Sequence, residues 1–279
     1  PMVVYSLKPA LPDTNIYNQN LKFTSSVHAV LSQEWFPGKS WQLKAEGYFQ
    51  AIFNAPVSPF AYDKGFILPG GIRTPAQIPG RFGAYSALNL GTDFGGVFTQ
   101  YHLESTGKGR NYGIELSVKK NLSKHYYLVA NTSIFRSEYQ PKDGIWRNTA
   151  FDNRFVVNLL AGYEFAFNQT HSIDANIKYV RVGGRPFTPI DLPRSQFAGE
   201  EIPDYTRYLS ERHPDYERFD VRINYKVNLK LVSISSFVSI ENVFARKNVQ
   251  LQYYDVENKQ IKTQFQLGFF PVGGFRIEF

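Results

Sequence analysis

Few residue types in this sequence occur at spacings that support catalysis or metal binding. Cysteine is absent and the five histidines are dispersed, so we predict no metal site and no cofactor. No G-x-S-x-G or H-E-x-x-H motif occurs either. Glu200 and Glu201, together with His213, are the only weak candidates for acid–base chemistry. We therefore predict that the chain is not an enzyme, and we keep a hydrolase built on these three residues as an alternative.

Aromatic and arginine side chains in the long polar segments suit a different chemistry, the capture of a ligand. Both types are frequent among the residues that dominate binding energy at interfaces, and loops commonly carry binding residues. The candidates in 140–152, 183–214 and 245–263 are Trp146, Arg147, Arg185, Tyr205, Arg207, Tyr253 and Tyr254. A siderophore, a glycan or a peptide would suit them. Plain packing of the loops against one another explains the same residues equally well.

The elements that must position these groups are β-strands. Apolar and polar residues alternate with a period of two, which places one set on each face of a strand. In 41–53, for example, Trp41, Leu43 and Phe53 share one face, whereas Lys44 and Glu46 lie on the other. Similar alternation occurs in 23–35, 112–118, 126–134, 155–165, 173–179, 219–227, 234–240 and 275–279.

The lengths of these strands favour a membrane over a soluble β-sandwich. Many reach the ~9–11 residues that a tilted strand needs to cross a bilayer, and many apolar faces end in an aromatic ring, as in an interfacial girdle. Short turns lie near 37–39, 121–124, 168–170 and 228–230, and long segments lie at 54–96, 140–152, 183–214 and 245–263. Bacterial barrels show this alternation of short periplasmic turns and long extracellular loops.

The predicted fold is therefore all-β: an antiparallel transmembrane β-barrel, partial and open, of about nine long strands with long extracellular loops. Residues 97–120 are expected to form one long strand, and 245–263 to add an extracellular hairpin. The last strand is expected to end at Phe279.

The charged residues are spread along the chain rather than clustered. The formal net charge is +7, but a nucleic-acid-binding surface would gather Lys and Arg on one stripe, so we predict no nucleic-acid partner. The alternation places Glu46, Glu115, Asp174, Asp220 and Arg222 on faces expected to line the lumen. A solvated inner wall accounts for them, and electrostatic guidance of a ligand is the functional alternative.

Five segments in the same order resemble the C-terminal part of TonB-dependent outer-membrane receptors of the Bacteroidota kind. Residues 107–116, GKGRNYGIEL, match the family's G-x-x-x-x-x-G-x-E-L strand. Residues 218–223, RFDVRI, resemble its R-x-D-x-R-I strand, and 241–248, ENVFARKN, resemble x-N-L-F-N-K-K-N. Residues 20–26, NLKFTSS, resemble a strand start of the family but lack its usual Pro-Glu. The terminal GFRIEF of 274–279 resembles the strand read by the barrel-assembly machinery.

The resemblance implies a partial domain and a set of partners. The family's barrel has about 22 strands around a plug, so 1–279 would cover roughly the last nine strands, without plug, TonB-contacting segment or signal peptide. Gly274, Phe275, Ile277 and Phe279 would carry the barrel-assembly signal. The implied function is import of a scarce nutrient across the bacterial outer membrane, driven by the TonB complex. Implied partners are the plug, the barrel-assembly machinery, outer-membrane lipid and an extracellular lipoprotein. A self-contained barrel acting as a porin or hydrolase is the alternative.

Overall fold

The structure is a computed structural model that describes residue 18 and residues 20–57 and 103–279. Within these ranges, nine long strands form one antiparallel sheet. They are β1 Ser25–Trp35, β2 Trp41–Val57, β3 Glu104–Ser123, β4 Tyr126–Gln140, β6 Phe155–Ala166, β7 His171–Val182, β10 Tyr216–Asn228, β11 Ser233–Glu241 and β14 Phe270–Glu278. The short strand β5, Arg147–Asn148, pairs with β4.

Smaller elements lie between the long strands. They are β8 Pro186–Phe187, helix α1 Leu192–Ala198, a 3-10 turn at Tyr205–Arg207, β9 Glu211–Arg212, β12 Val249–Asp255 and β13 Gln260–Phe265. Strands β8 and β9 pair with each other, and β12 and β13 form the hairpin that was predicted in 245–263.

The long strands follow one another across the sheet in chain order. The order is β1-β2-β3-β4-β6-β7-β10-β11-β14, and every neighbouring pair is antiparallel. Among the described residues, β1 and β14 are the two edges, so the sheet is open. The predicted antiparallel partial barrel of about nine long strands is thereby confirmed.

One face of the sheet is apolar and exposed. Ile114 is 60% exposed and Phe275 is 77% exposed, and Leu116, Ile223 and Val238 are also exposed. Large contiguous apolar surface of this kind marks contact with a membrane or another protein, and it fits the lipid-facing side of a barrel wall. Among the described residues, none of the helices is both long and apolar enough to span a bilayer.

The two ends of the sheet differ in their connections. At one end, short turns join β1 to β2, β3 to β4, β6 to β7 and β10 to β11. Lys124 and His125 adopt positive φ values of 52° and 68° in one of these turns, as the tight hairpin turns that match strand twist require. The other end, called the loop end below, carries the long segments and most of the buried apolar residues: Ala55, Val57, Leu103, Tyr139, Tyr208, Leu209 and Tyr254.

Several boundaries differ from the sequence expectation. Strand β2 continues to Val57, into the segment expected to be a loop from residue 54. The strand expected over 97–120 is β3, which runs from Glu104 to Ser123, and residues 58–102 lie outside the described ranges. Strand β14 ends at Glu278, so the fully exposed Phe279 follows the last strand instead of ending it.

Candidate functional site

Three segments at the loop end hold one another through side-chain contacts to backbone atoms. We call 141–154, 183–215 and 242–269 together the loop layer. Its bonds between segments include Asn148 Nδ2 to Leu209 O at 3.3 Å, Arg185 Nη2 to Gln250 O at 3.2 Å, Gln196 Nε2 to Lys259 O at 2.8 Å and Tyr254 N to Glu201 Oε2 at 2.9 Å. The segment expected to be a polar loop at 183–214 is therefore an ordered part of this layer.

A buried carboxylate joins the loop layer to the sheet. The side chain of Asp152 has no exposed area, and it forms ion pairs with Arg212 and, at 3.4 Å, with Arg136. It also accepts a hydrogen bond from the backbone N–H of Ser137 at 2.9 Å. Burial lowers the pKa of the Arg212 guanidinium, and Asp152 opposes that shift by stabilising the charged form. Asp152 thus fixes the 183–215 segment against β4.

Two glycines allow the segment after β7 to approach its neighbours closely. A Cβ on Gly183 would lie 1.9 Å from the carbonyl oxygen of Asn153, and one on Gly184 would lie 1.7 Å from that of His213. Any other residue would overlap these backbone atoms, so the Gly183–Gly184 pair sets the positions of Asn153 and His213.

Helix α1 is short and capped at both ends. The Asp191 side chain accepts from the N–H of Arg194 at 3.1 Å, as an N-cap does, and Gly199 ends the helix in the left-handed conformation at φ 73°. The buried Ser195 hydroxyl donates to Asp191 O at 2.8 Å and accepts from the N–H of Ile202 at 2.9 Å. These bonds fold the chain back so that Glu201 reaches β12.

The β12–β13 hairpin is closed by a charged cluster at its tip. The Asp255 carboxylate pairs with Lys262 and accepts from Asn258 Nδ2 at 2.6 Å. The hydrogen bond from Lys262, followed by that from Asn258, lowers the pKa of Asp255 to about 2. At the base, the buried Asn248 accepts from the N–H of Glu217 at 3.0 Å and donates to its carbonyl at 2.8 Å.

A cavity of about 490 Å³ opens between the three segments of the loop layer. We call it the loop cavity. Its walls combine apolar and polar side chains and include Phe187, whose ring stacks on His213 with centroids 4.2 Å apart. Two buried polar side-chain atoms of the described residues have no hydrogen-bond partner, Asn153 Oδ1 and His213 Nδ1, and both residues line this cavity. Arg185, Glu201 and Gln252 also line it.

The ligand candidates of segment 140–152 already have partners within the protein. The Arg147 guanidinium makes two hydrogen bonds to the carboxylate of Asp143, at 2.9 and 2.6 Å. The ring of Trp146 lies under the guanidinium of Arg110, 4.3 Å from its centroid. For Arg147 these contacts agree with plain loop packing, whereas Trp146 keeps an exposed edge.

The remaining candidates separate into three groups. Arg185 is exposed and lines the loop cavity, while Arg207 pairs with Glu211 on the surface of the same segment. On the hairpin, Tyr253 is exposed, whereas Tyr254 is buried against the loop layer. The backbone of Tyr205 lies in the 3-10 turn, and its side chain is outside the described set. Of the candidates whose side chains the structure describes, only Arg185 lines the loop cavity.

The residues predicted to face the lumen lie beside polar neighbours on adjacent strands. Glu46 stands opposite Glu115 across β2 and β3, and Lys44 forms an ion pair with Glu46 at 2.8 Å that offsets the repulsion of the two carboxylates. Asp220 stands opposite Lys178, and it also accepts from the N–H of Asn242 at 2.9 Å, which fixes the end of β11.

Asp174 and Arg222 were also predicted to face the lumen, and they lie on the same face farther from the loop end. Asp174 lies opposite Glu164 on one side and Asn224 on the other. The Arg222 guanidinium lies 3.9 Å from the ring centroid of Phe237, and its Nε donates to Asn224 Oδ1 at 2.8 Å. Their exposure to the lumen stays a prediction.

The residues of the predicted assembly signal lie on or beside the edge strand β14. Phe275 and Ile277 are exposed on it, and Gly274 is opposite Phe237, whose ring would be 2.9 Å from a Cβ at that glycine. Phe279 follows the strand. Recognition of these residues during assembly stays a prediction.

The three hydrolase candidates do not form a catalytic group. Glu201 and His213 both line the loop cavity, and Glu201 accepts the N–H of Tyr254 at 2.9 Å. His213 stacks on Phe187, and its Nδ1 is unpartnered, so no nucleophile is hydrogen-bonded to that nitrogen. Across the described residues, no group of three or more His, Asp or Glu side chains could hold a metal ion.

Sequence reasoning missed the residues that organise the site. Asp152 and Asn153 lie in a polar segment with no periodicity. Asp152 is bonded by Arg212, about 60 positions later, and Asn153 lies against Gly183, about 30 positions later. Asn248 was part of the 241–248 resemblance but was not assigned a role. A pair of adjacent glycines directly after a long alternating strand was the one local signal, since it indicates a close backbone approach.

Comparisons with known proteins find the fold and no sequence relative. No protein-family model matches the chain, and no curated protein matches its sequence. The crystal structure of the ferric yersiniabactin uptake receptor FyuA from Yersinia pestis is similar, with a TM-score of 0.54 and 14% identity over 91% of this chain and 29% of that one. The ferric-catecholate import receptor Fiu from Escherichia coli K12 gives a TM-score of 0.51 and 13% identity over 97% of this chain and 30% of that one.

The chain thus spans less than a third of the length of each of these two receptors. At such low identity the similarity concerns the fold alone. Both matched proteins are TonB-dependent receptors, and their barrels are bacterial outer-membrane barrels. The predicted resemblance is confirmed at the level of the fold: this chain has the fold of part of an outer-membrane barrel.

Proposed function

We propose that the protein containing this chain is an outer-membrane receptor that imports a scarce nutrient, with uptake driven by the TonB complex. The observation that carries the proposal is the fold match to FyuA and Fiu, which extends over more than nine-tenths of this chain. Those two proteins are an uptake receptor and an import receptor. A siderophore, a glycan or a peptide would be the nutrient class.

The loop layer supports a receptor more than an open pore. A passive porin needs a clear channel, whereas here three loop segments bond to one another and enclose a cavity within the size range of ligand pockets. Small-molecule sites combine apolar walls with polar groups that orient the ligand, and both kinds of group line this cavity.

The proposed partners follow from the same role. Outer-membrane lipid would cover the apolar face of the sheet, and an N-terminal plug would fill the lumen and pass the pull of the TonB complex to it. The barrel-assembly machinery would read Gly274, Phe275, Ile277 and Phe279. An extracellular lipoprotein would contact the loop layer.

The test measures uptake in cells that carry the complete gene product. Labelled siderophore, oligosaccharide and peptide mixtures are supplied to wild-type cells, to cells lacking the gene, and to cells treated with a protonophore. We expect one class to enter wild-type cells only, because TonB-driven transport needs both the receptor and the proton gradient. Uptake that depends on the gene but persists after the protonophore would instead identify a passive porin.

The hydrolase alternative has its own control. Glu200→Gln, Glu201→Gln and His213→Gln variants are assayed for hydrolysis of lipid esters and peptides beside the wild type. Gene-dependent hydrolysis that these substitutions abolish would replace the import proposal with an enzyme.

A further inference from the structure

We propose that the loop cavity binds a short, extended peptide with free termini, three or four residues long. The inference deepens the proposed function, because it names the substrate class, and it rests on that function only for the step of import. The binding site itself depends on the cavity alone.

Two buried polar atoms inside the cavity lack hydrogen-bond partners among the residues that the structure describes. Asn153 Oδ1 and His213 Nδ1 are buried without a partner, and His213 is only 9% exposed. A buried polar atom left unpaired costs about 1–3 kcal/mol, so such atoms are normally satisfied by water or by a ligand. The Asn153 oxygen can only accept, so the occupant must bring a donor there.

The protonation state of the histidine ring follows from its surroundings. Burial lowers the pKa of His213, and the positive charge of Arg185 lowers it further, so the ring is neutral at pH 7. A neutral imidazole nitrogen pairs with either a donor or an acceptor, depending on the tautomer. A peptide backbone offers alternating N–H and C=O groups, and can therefore satisfy both Asn153 and His213.

Charged side chains lie at the edges of the cavity. Arg185 and Glu201 are both exposed and both line it. Arg185 uses one nitrogen on Gln250 O, and Glu201 uses one oxygen on Tyr254 N, so each keeps hydrogen-bonding capacity for a ligand. One cation and one anion favour a zwitterion, whereas a polyanionic ferric siderophore would meet the carboxylate of Glu201.

The distance between the two charged groups fits a short peptide. The two charged groups bond to positions 250 and 254 of the same strand, β12. A regular strand rises about 3.3 Å per residue, and the ladder is irregular between Val249 and Leu251, so the two anchor positions are at most roughly 13 Å apart. An extended peptide of three or four residues spans about the same length, which would place its carboxylate at Arg185 and its ammonium group at Glu201.

The positions of the lining groups are set by the fold rather than by flexible loops. Gly183 and Gly184 fix the backbone of Asn153 and His213 through close contacts, and the Asp152–Arg212 pair fixes the residues beside them. A site held in this way loses little conformational freedom when a ligand binds.

The experiment is calorimetric titration of the complete, detergent-solubilised protein with tetra-alanine. Matched probes are N-acetyl tetra-alanine, tetra-alanine amide and maltotetraose. We expect tetra-alanine to bind, and we expect blocking either terminus to weaken binding at least tenfold. Three results would overturn the proposal: equal affinity for free and blocked peptides, binding of maltotetraose instead, or no heat from any probe. The last result would mean that the cavity holds only water.

Variants assign each terminus. Arg185→Met should weaken tetra-alanine at least tenfold but leave the amide unchanged, and Glu201→Gln should weaken tetra-alanine but leave the acetylated peptide unchanged. Arg194→Met and Glu200→Gln, which alter residues of the same segment outside the cavity, should bind tetra-alanine like the wild type. If Arg185→Met weakened the amide as strongly as the free peptide, the assignment of the carboxylate to Arg185 would be wrong.

The two proposals fail separately. If the protein imports a siderophore or glycan under energised conditions but binds no peptide, the peptide-site proposal is wrong and the receptor proposal stands. If the protein binds the peptide but its loss changes no uptake, the receptor proposal is wrong and the peptide-site proposal stands.

Discussion

The sheet and the loop layer are stabilised by different kinds of contact. In the sheet, neighbouring strands pair through backbone hydrogen bonds in nearly continuous register, and large apolar side chains such as Ile114 and Phe275 remain exposed. In the loop layer, the segments are joined mainly by side chains that bond to backbone atoms, and Tyr208, Leu209 and Tyr254 are buried. The sheet therefore depends on a repeated local pattern, and the loop layer on a few contacts between distant positions.

This difference predicts how each region responds to substitution. Removal of one contact in the loop layer should loosen that layer and leave the sheet intact. A substitution in the sheet should matter mainly through the face on which it lies. The four predictions below test this contrast, from the largest expected effect to the smallest.

Asp152→Ala should have the largest effect, and the effect should stay within the loop layer. The substitution leaves the largely buried Arg212 without its carboxylate, and breaking a buried ion pair costs about 3–5 kcal/mol. Hydrogen exchange should become much faster in 183–215 and stay slow in β7 and β10. The control Glu211→Ala removes an exposed pair with Arg207 and should cost less than about 1 kcal/mol. Equal exchange in wild type and Asp152→Ala would contradict the role of Asp152.

Ile114→Arg should destabilise the sheet because it places a charge on the apolar face near the middle of β3. A charge at the bilayer midplane costs about 2–4 kcal/mol in a membrane barrel. The measurement is the urea midpoint of heat-modifiable gel mobility after folding into lipid. Glu115→Arg is the matched control, since it lies one residue along on the polar face, opposite Glu46. Similar losses for both variants would mean that the two faces are wrongly assigned.

Gly184→Ala should open the loop layer by a smaller amount. The new Cβ would overlap the carbonyl oxygen of His213, and overpacking of this kind costs about 1–3 kcal/mol. We expect protease cleavage within 183–215 while the sheet keeps its mobility on gels. Gly268→Ala, where a Cβ meets nothing within 4 Å, should be cleaved at the wild-type rate. Resistance of Gly184→Ala to the protease would show that the close approach tolerates a side chain.

The same contrast explains what could be predicted from the sequence. All nine long strands were predictable because alternation is a local property that repeats within each strand. The hairpin at 249–265 was also predictable, since two short strand patterns flank polar turn residues. By contrast, Arg212 lies 60 positions from Asp152 and Tyr254 lies 53 positions from Glu201, and no periodicity connects these pairs. Tyr253 and Tyr254 show why side-chain burial in the loop layer could not be predicted. Both were predicted as ligand contacts because they lie in the same polar segment, whereas the structure exposes Tyr253 and buries Tyr254.

The smallest expected effect concerns the tip of the β12–β13 hairpin, which should respond to acid by itself. The pKa of Asp255 is about 2 in the folded hairpin, below its ordinary value of 3.8, because Lys262 and Asn258 stabilise the carboxylate. A lowered folded-state pKa contributes stability above pH 3.8, and that contribution is lost as the pH falls through about 2. Amide exchange at 255–260, corrected for the intrinsic pH dependence of exchange, should therefore become faster over this window while exchange in the sheet stays unchanged. In Asp255→Asn the tip should exchange faster than in the wild type above about pH 3.8 and show no such transition. A transition of the same size in that variant would assign the acid response to another carboxylate and separate the hairpin tip from Asp255.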